Sequence, residues 1–298
     1  MLGLSHDLLS PPPIFIGGTG RSGTTILGNL IGTHPAYAVI PVEMRFHTEP
    51  HGLMDVLTGR LTCDEFEKEM LETFYPWVSP MGTSGLRNII GMDAFASAVR
   101  AFVEQFRADR ILAARNLFVA LTRPTTISEG KQGWVEMSPR NIAVAAMLWE
   151  IFPEMKMIHS VRDGRDVAVS VARAPFGPRT PVDGLIWWNL WLRRAGQVTR
   201  LLPSDSIYLI EFERLVLIDR VGTLAGMCDY LDVGVEDLEE FFESQVTPAR
   251  AHIGRWKVDL GPPEAEELNK EYLEMYDDLI YDGIPSRPIT PYWRDLYT

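Results

Sequence analysis

The chain is short of cysteine, of positive charge and of long apolar runs, and each shortage excludes something. Cys63 and Cys228 are the only cysteines in 298 residues. They lie far apart and form no Cys-x-x-Cys pair, so zinc-ribbon and dithiol redox motifs do not fit. Lysine and arginine number 28 against 40 acids, a formal net charge of −12. Such a chain lacks the broad basic face that neutralising a DNA or RNA backbone requires. The same shortage argues against gripping a long anionic polysaccharide. The longest apolar run, Ala143 to Trp149, falls far short of the roughly 20 residues of a spanning helix. The first ten residues carry His6 and Asp7 and no basic stretch, so no signal peptide is expected. A soluble, cytoplasmic protein is the expectation.

What the chain does have is an alternation of strand and helix signals. Pro11 to Pro13 cannot donate to a sheet, so a strand begins at Ile14-Phe15-Ile16. A glycine-rich turn follows, then a helical stretch from Thr24 to Ile31, stopped by Gly32-Thr33-His34-Pro35. Ala38 to Ile40, Gly133 to Glu136, Lys156 to Val161 and Ile207 to Glu211 read as further buried strands. Between them, Thr62 and Glu65 fit a capping box, and Phe95, Val99, Phe102, Val103 and Phe106 recur at helical spacing. Ser138-Pro139 reads as a cap and first turn of a helix to Trp149. Helices are also expected over Asp183–Leu202, Asp219–Leu231 and the acidic stretch Pro263–Tyr281, whose charges suit a solvated face. No repeat or linker divides the chain, so a single domain over 1–298 is expected. Residues 41–133 separate two strands by far more than a usual connection, which marks them as a specificity insertion.

The most informative segment is Gly17-Gly18-Thr19-Gly20-Arg21-Ser22-Gly23-Thr24-Thr25. It follows a strand and opens a helix. Glycines allow close backbone approach to an anion, and the helix N-terminus adds partial positive charge. Arg21 supplies a permanent cation; Thr24 and Thr25 supply hydroxyls. The segment nearly fits the nucleoside-triphosphate loop GxxxxGK[ST] from Gly18 to Thr25, but Thr24 stands where the lysine belongs. The fourth strand is followed by Arg162 and not by a magnesium-holding aspartate. Both departures count against a P-loop kinase or NTPase. A second anion site is indicated after that strand. Residues 160–200 hold seven arginines against three aspartates in an otherwise acidic chain. Arg193, Arg194 and Arg200 read as an exposed helix face, whereas Arg162 reads as functional.

RSGTT at Arg21–Thr25 and VRDGRDVAVS at Val161–Ser170 resemble the two nucleotide motifs of the sulfotransferases that use 3′-phosphoadenosine 5′-phosphosulfate (PAPS). The arginine-type loop is similar to the bacterial, tyrosylprotein and Golgi branches. His34-Pro35, WVEMSPRN at Trp134–Asn141, EFERL at Glu211–Leu215 and GRWK at Gly254–Lys257 fall in family order. The resemblance implies a P-loop-like three-layer α/β sandwich, with a central, mainly parallel sheet of about five strands flanked by helices. It also implies PAPS as cofactor, 3′,5′-ADP as product and no metal. Arg21, Ser22, Gly23, Thr24 and Thr25 would hold the phosphosulfate; Arg162, Ser170 and Arg255 the 3′-phosphate. Phe212 stands where relatives stack an aromatic ring on adenine.

Sulfuryl transfer needs a base for the acceptor hydroxyl and positive charge at the departing oxygen. Arg21 is the candidate for the charge. Glu43, in a Glu43-Met44-Arg45 triplet resembling the Glu-x-Arg segment of related enzymes, is the candidate base, with His47 and His51 as alternatives. Arg45 and His47 are candidate acceptor contacts, while His34 and His159 read as structural. Met137 stands where relatives carry a lysine, so one cation is missing; Arg140 or Arg115 are candidates to replace it. The expected acceptor is a hydroxyl of a small molecule, lipid or glycolipid, uncharged or apolar given the net charge. A non-catalytic adenine-nucleotide-binding module and a P-loop kinase remain the alternatives.

Overall fold

A computed structural model describes residues 8–80, 82 and 85–284. Most of the N-terminal stretch weighed above for a signal peptide lies outside them. Five strands form one sheet: β1 (Ile14–Gly18), β2 (Tyr37–Val39), β3 (Gly133–Glu136), β4 (Lys156–Val161) and β5 (Ile207–Glu211). Their order is β2-β3-β1-β4-β5, and every pairing is parallel. The sheet is therefore wholly parallel, where the expectation was mainly parallel.

Both faces of the sheet are covered over its central strands, which explains why β1, β3 and β4 are buried almost throughout, while the edge strand β5 buries only Ile210. Alternate side chains take opposite faces. Phe15, Trp134 and Met157 enter one core with the helices Met92–Phe106, Arg110–Ser128 and Ala145–Ile151. Ile14, Ile16, Val135, Ile158 and Ile210 enter the other, with α1 (Thr24–Ile31) and the helix Arg220–Leu231. A third cluster joins helices Gly164–Ala172, Pro181–Thr199 and Pro262–Tyr281 beside β4. In the last helix Leu268, Tyr272, Tyr276 and Leu279 form its buried stripe and leave the acids to solvent. No helix among the described residues is long and apolar enough to cross a membrane.

The Thr62–Glu65 capping box is present. The segment after Ser138 departs from expectation. It is a 3₁₀ turn, Pro139–Val144, before an α-helix, Ala145–Ile151. The reason is local competition for hydrogen bonds. Both the amide and the hydroxyl of Ser138 donate to the Glu136 carboxylate instead of the hydroxyl capping a helix. The Asn141 amide donates to the same carboxylate and to the Ile16 carbonyl. Much of the 41–133 stretch is core: Phe46 and Phe74 are buried, and Tyr75 packs on Phe95 with centroids 4.7 Å apart.

Candidate active site at the carboxyl ends of the sheet

In parallel sheets, ligands sit outside the carboxyl ends of the strands where connections diverge. Here the chain leaves β1 toward β2 and leaves β3 across β1 toward β4. The glycine-rich loop stands at this divergence. Gly20, Arg21 and Gly23 all adopt left-handed backbone, with φ of 78°, 56° and 87°. A side chain on Gly23 would strike the Phe212 ring at 2.2 Å, and one on Gly18 would meet Ser22 Oγ at 2.3 Å. Helix α1 has neither a side-chain N-cap nor an acid in its first turn, so its leading N–H groups have no competing partner of that kind. The Ser22 hydroxyl is buried and unpartnered. Thr24 is buried beside it and Thr25 is exposed.

The turn after β4 meets this loop directly. Arg21 Nε donates to Ser170 Oγ at 2.9 Å. Arg162 Nη1 donates to the Arg21 carbonyl at 3.0 Å, and Nη2 to the Ala251 and His252 carbonyls at 2.7 and 2.9 Å. Arg255 is about half exposed, pairs with Asp259 at 2.8 Å and faces His252 Nδ1 at 3.4 Å. Arg21 has no carboxylate within ion-pair distance among the described residues. Burial, then the charge of Arg162, lowers the Arg21 pKa. His252 is likewise held below its ordinary value, by desolvation and then by Arg255 and Arg162. Both shifts report positive charge gathered around the loop and the turn after β4.

Two acids behind the cluster were not singled out from the sequence. Asp166 accepts the Gly254 and Trp256 N–H groups at 2.7 and 3.1 Å and so folds the Gly254–Lys257 segment against β4. Burial and then Asp163 raise its pKa. Glu213 is fully enclosed and accepts from the Asp163 N–H at 3.0 Å. Burial and then Asp163 push its carboxyl up to about 8, which favours the neutral form at pH 7; the carboxylate paired with Arg162 is Asp166, at 3.6 Å. Arg165 turns inward to Asp163 at 2.7 Å, between the Trp256 and Tyr272 rings.

On the β3 side a second network positions the Glu43-Met44-Arg45 triplet. Glu136, at the end of β3 and fully buried, accepts from the Met44 N–H at 3.3 Å. That bond fixes the backbone between Glu43 and Arg45. The Glu43 side chain is 46% exposed and lies 3.8 Å from Arg45. Partial desolvation, then the charge of Glu136, raises its pKa; Glu49 adds to this, and Arg45 and Arg140 oppose it. Arg45 also pairs with Glu49 at 2.6 Å.

Three expectations are corrected here. His47 is not an acceptor contact: its ring is fully buried, and Nε2 donates to Asn141 Oδ1 at 2.7 Å. Phe212 offers no face to adenine, because it is fully buried as a wedge under Gly23. Arg115 cannot replace the absent lysine, since it is buried against Glu154 and the Ile151 carbonyl, away from this site. Met137 itself packs on α1, where a Cβ on Gly28 would meet its sulfur at 2.9 Å. His159 is buried, its pKa pulled down to about 4 by desolvation. His51 is exposed and lies 3.9 Å from Glu69.

Residues 12–237 match the model of the sulfotransferase family, and the chain belongs to that family. Its fold is also that of solved sulfotransferase structures. The sulfotransferase domain of the Synechococcus PCC 7002 olefin synthase superposes with a TM-score of 0.51 at 20% identity, over 90% of this chain and 97% of that one. The sulfotransferase domain of the curacin biosynthetic pathway gives 0.52 at 18% identity, over 87% and 97%. The sulfotransferase from Alicyclobacillus acidocaldarius gives 0.50 at 15% identity, over 95% and 98%. No curated protein matches the chain.

Proposed function

We propose that this chain moves a sulfuryl group from PAPS to the hydroxyl of an acceptor molecule. The supporting observation is the 2.9 Å bond from Arg21 to Ser170. It joins the two motifs that would take the two separated anionic ends of one nucleotide. The donors present suit such a group: an uncapped helix start, a buried unpartnered Ser22 hydroxyl and an arginine without a carboxylate. PAPS supplies the activated sulfuryl group and is released as 3′,5′-ADP. Arg21, Ser22, Gly23, Thr24 and Thr25 bind the phosphosulfate end. Arg162, Ser170 and Arg255 bind the 3′-phosphate end. Arg21 neutralises charge that develops on the departing oxygen. Glu43 takes the proton of the acceptor hydroxyl on a carboxylate oxygen, and its raised pKa makes it a better base than an ordinary carboxylate. Arg45 holds Glu43 in place.

One observation favours a different reading, a nucleotide-binding module without catalysis. Met137 fills the space beside Gly28 where relatives carry a cation. Calorimetric titration and a transfer assay separate the possibilities. 3′,5′-ADP should bind at least about tenfold more tightly than AMP, the margin of ~1.4 kcal/mol that one charge-assisted contact supplies. Labelled sulfate should move from PAPS to an alcohol or phenol. Equal affinities, or stronger stabilisation by ATP with magnesium, would overturn the assignment. Tight 3′,5′-ADP binding without transfer would favour the module.

A further inference from the structure

One buried polar side chain belongs to neither network described above. His159 stands in the middle of β4, opposite Gly17 of β1 and Leu209 of β5, and is 1% exposed. Its neighbours on the same face of the strand, Met157 and Val161, enter two different apolar cores. His159 lies at the seam between them. Its Nε2 is buried without a partner, and no hydrogen bond from the described residues reaches either ring nitrogen. A neutral imidazole offers one donor and one acceptor. Buried polar groups are rarely left unmatched, and one that is calls for a reason.

The ring lines a cavity of about 260 Å³ beside the β5 edge of the sheet. That is just below the ~300–1,000 Å³ of pockets for drug-sized ligands, so its occupant is compact. Three stretches of chain wall it. The helix Pro181–Thr199 ends there with Thr199, and Arg200 follows directly; β5 adds Ile207 and Leu209; the segment after Tyr281 adds Gly283. A Cβ on Gly196 would meet Ile284 Cδ1 at 2.7 Å, so the helix and that last segment are in close contact. Leu209 is 38% exposed, an aliphatic surface the fold leaves uncovered. Arg200 is exposed and donates to the Asp282 carbonyl at 3.0 Å. The Asp282 carboxylate is taken by Arg193, and no carboxylate lies within ion-pair distance of Arg200 among the described residues. The low pKa of His159 comes from desolvation and not from this cation, so the guanidinium and the ring stand apart on the wall.

We infer that this cavity is a second ligand site that takes a small hydroxy acid, with its carboxylate on Arg200, its apolar body on Ile207 and Leu209, and its hydroxyl against His159. Each part of such a molecule answers one unmatched feature of the wall. The guanidinium presents a planar fork of N–H donors that fits a carboxylate. A hydroxyl both donates and accepts, so it serves either tautomer of the ring. A charged group at that depth would lose its hydration to an uncharged partner. None of the lining residues is assigned to the nucleotide, and the site stands independently of the sulfuryl-transfer reading.

The test uses the full chain and 4-hydroxyphenylacetate as the probe. Phenylacetate lacks the hydroxyl, 4-ethylphenol lacks the carboxylate, and tyramine carries the opposite charge. Dissociation constants are measured by calorimetry with and without 3′,5′-ADP, and the imidazole nitrogen signals are followed by NMR. The signal lost in His159→Leu identifies His159. The probe should bind about tenfold more tightly than 4-ethylphenol, the margin of one charge-assisted contact. It should bind several-fold more tightly than phenylacetate, shift the His159 signal and keep its affinity when 3′,5′-ADP is present. Arg200→Gln should remove the first margin and keep the second; His159→Leu should do the reverse. General destabilisation does not separate the two. Should His159→Leu fail to fold, Arg200→Gln at its exposed position still decides. Equal binding of the probe and 4-ethylphenol overturns the inference, as does a preference for tyramine. So does an unchanged margin in Arg200→Gln, a His159 signal that does not move, or displacement of the probe by 3′,5′-ADP.

Discussion

Arginine is handled differently on the two sides of the glycine-rich loop. Toward β4, Arg162 pairs with Asp166 at 3.6 Å and Arg255 with Asp259 at 2.8 Å, and Arg21 adds a third cation to these two acids. Arg21 has no acid partner among the described residues, and Glu213 is held neutral by its own burial. Toward β3, Arg45 and Arg140 share Glu49, and Arg45 also reaches Glu43. The first arrangement has charge to spare for an anion; the second is saturated. The lesson is that the acidic total of the chain, −12, says little about its site. The field is set by which carboxylates lie close enough to cancel each arginine, and by whether burial leaves them ionised.

Four substitutions would break or sharpen that contrast. Glu43→Gln should have the largest effect on turnover, ~10²–10⁴-fold, with 3′,5′-ADP affinity retained in calorimetry. Unchanged turnover would remove Glu43 from the base role. Arg21→Ala should lower kcat by ~10²–10³-fold and also weaken 3′,5′-ADP, because the proposed assignment puts this arginine on the 5′-phosphate and it also bonds Ser170. A loss confined to KM of the acceptor would contradict that.

Glu136→Gln tests the positioning of the base. The carboxylate of Glu136 raises the Glu43 pKa, so its neutralisation should move the acid limb of kcat/KM to lower pH. A profile that falls in height without moving would show that Glu136 acts on stability alone.

The smallest effect is expected from Glu213→Gln, read in Tm against pH. The folded pKa of Glu213, about 8, lies above its unfolded value near ~4.3. The native state therefore holds a proton that the unfolded chain has released. Stability from this group is complete below the unfolded pKa and drains away as pH rises through about 8. The variant should lose less Tm than the wild type between pH 6 and 9. Parallel curves would refute the assignment of a neutral Glu213.

Strands β3 and β4 were legible residue for residue because burial on both faces leaves a run with sharp ends; β5, an edge strand with only Ile210 buried, was legible from its β-branched and aromatic residues. The glycine loop was legible for a related reason: only a few residue types tolerate its backbone. The Glu136–Asn141–His47 network was not. Its members are polar residues that would each suit a surface, and only the pairing of β3 with β1 brings Asn141 under the Ile16 carbonyl. His47 and Phe212 were misjudged by the same blindness, since an aromatic side chain near a motif in sequence carries no record of which way it faces. The sharing of Glu49 by Arg45 and Arg140 was invisible too, because Arg140 meets the insertion only after the chain has folded.

The wedge of Phe212 under Gly23 has one more consequence. With a rigid ring beneath it and three left-handed residues along it, the loop already holds its shape before any ligand arrives. The conformational entropy of ordering it is lost when the chain folds, and not again at each encounter with the nucleotide. Capture should then proceed in a single kinetic phase, its rate proportional to nucleotide concentration, with no slow isomerisation afterward.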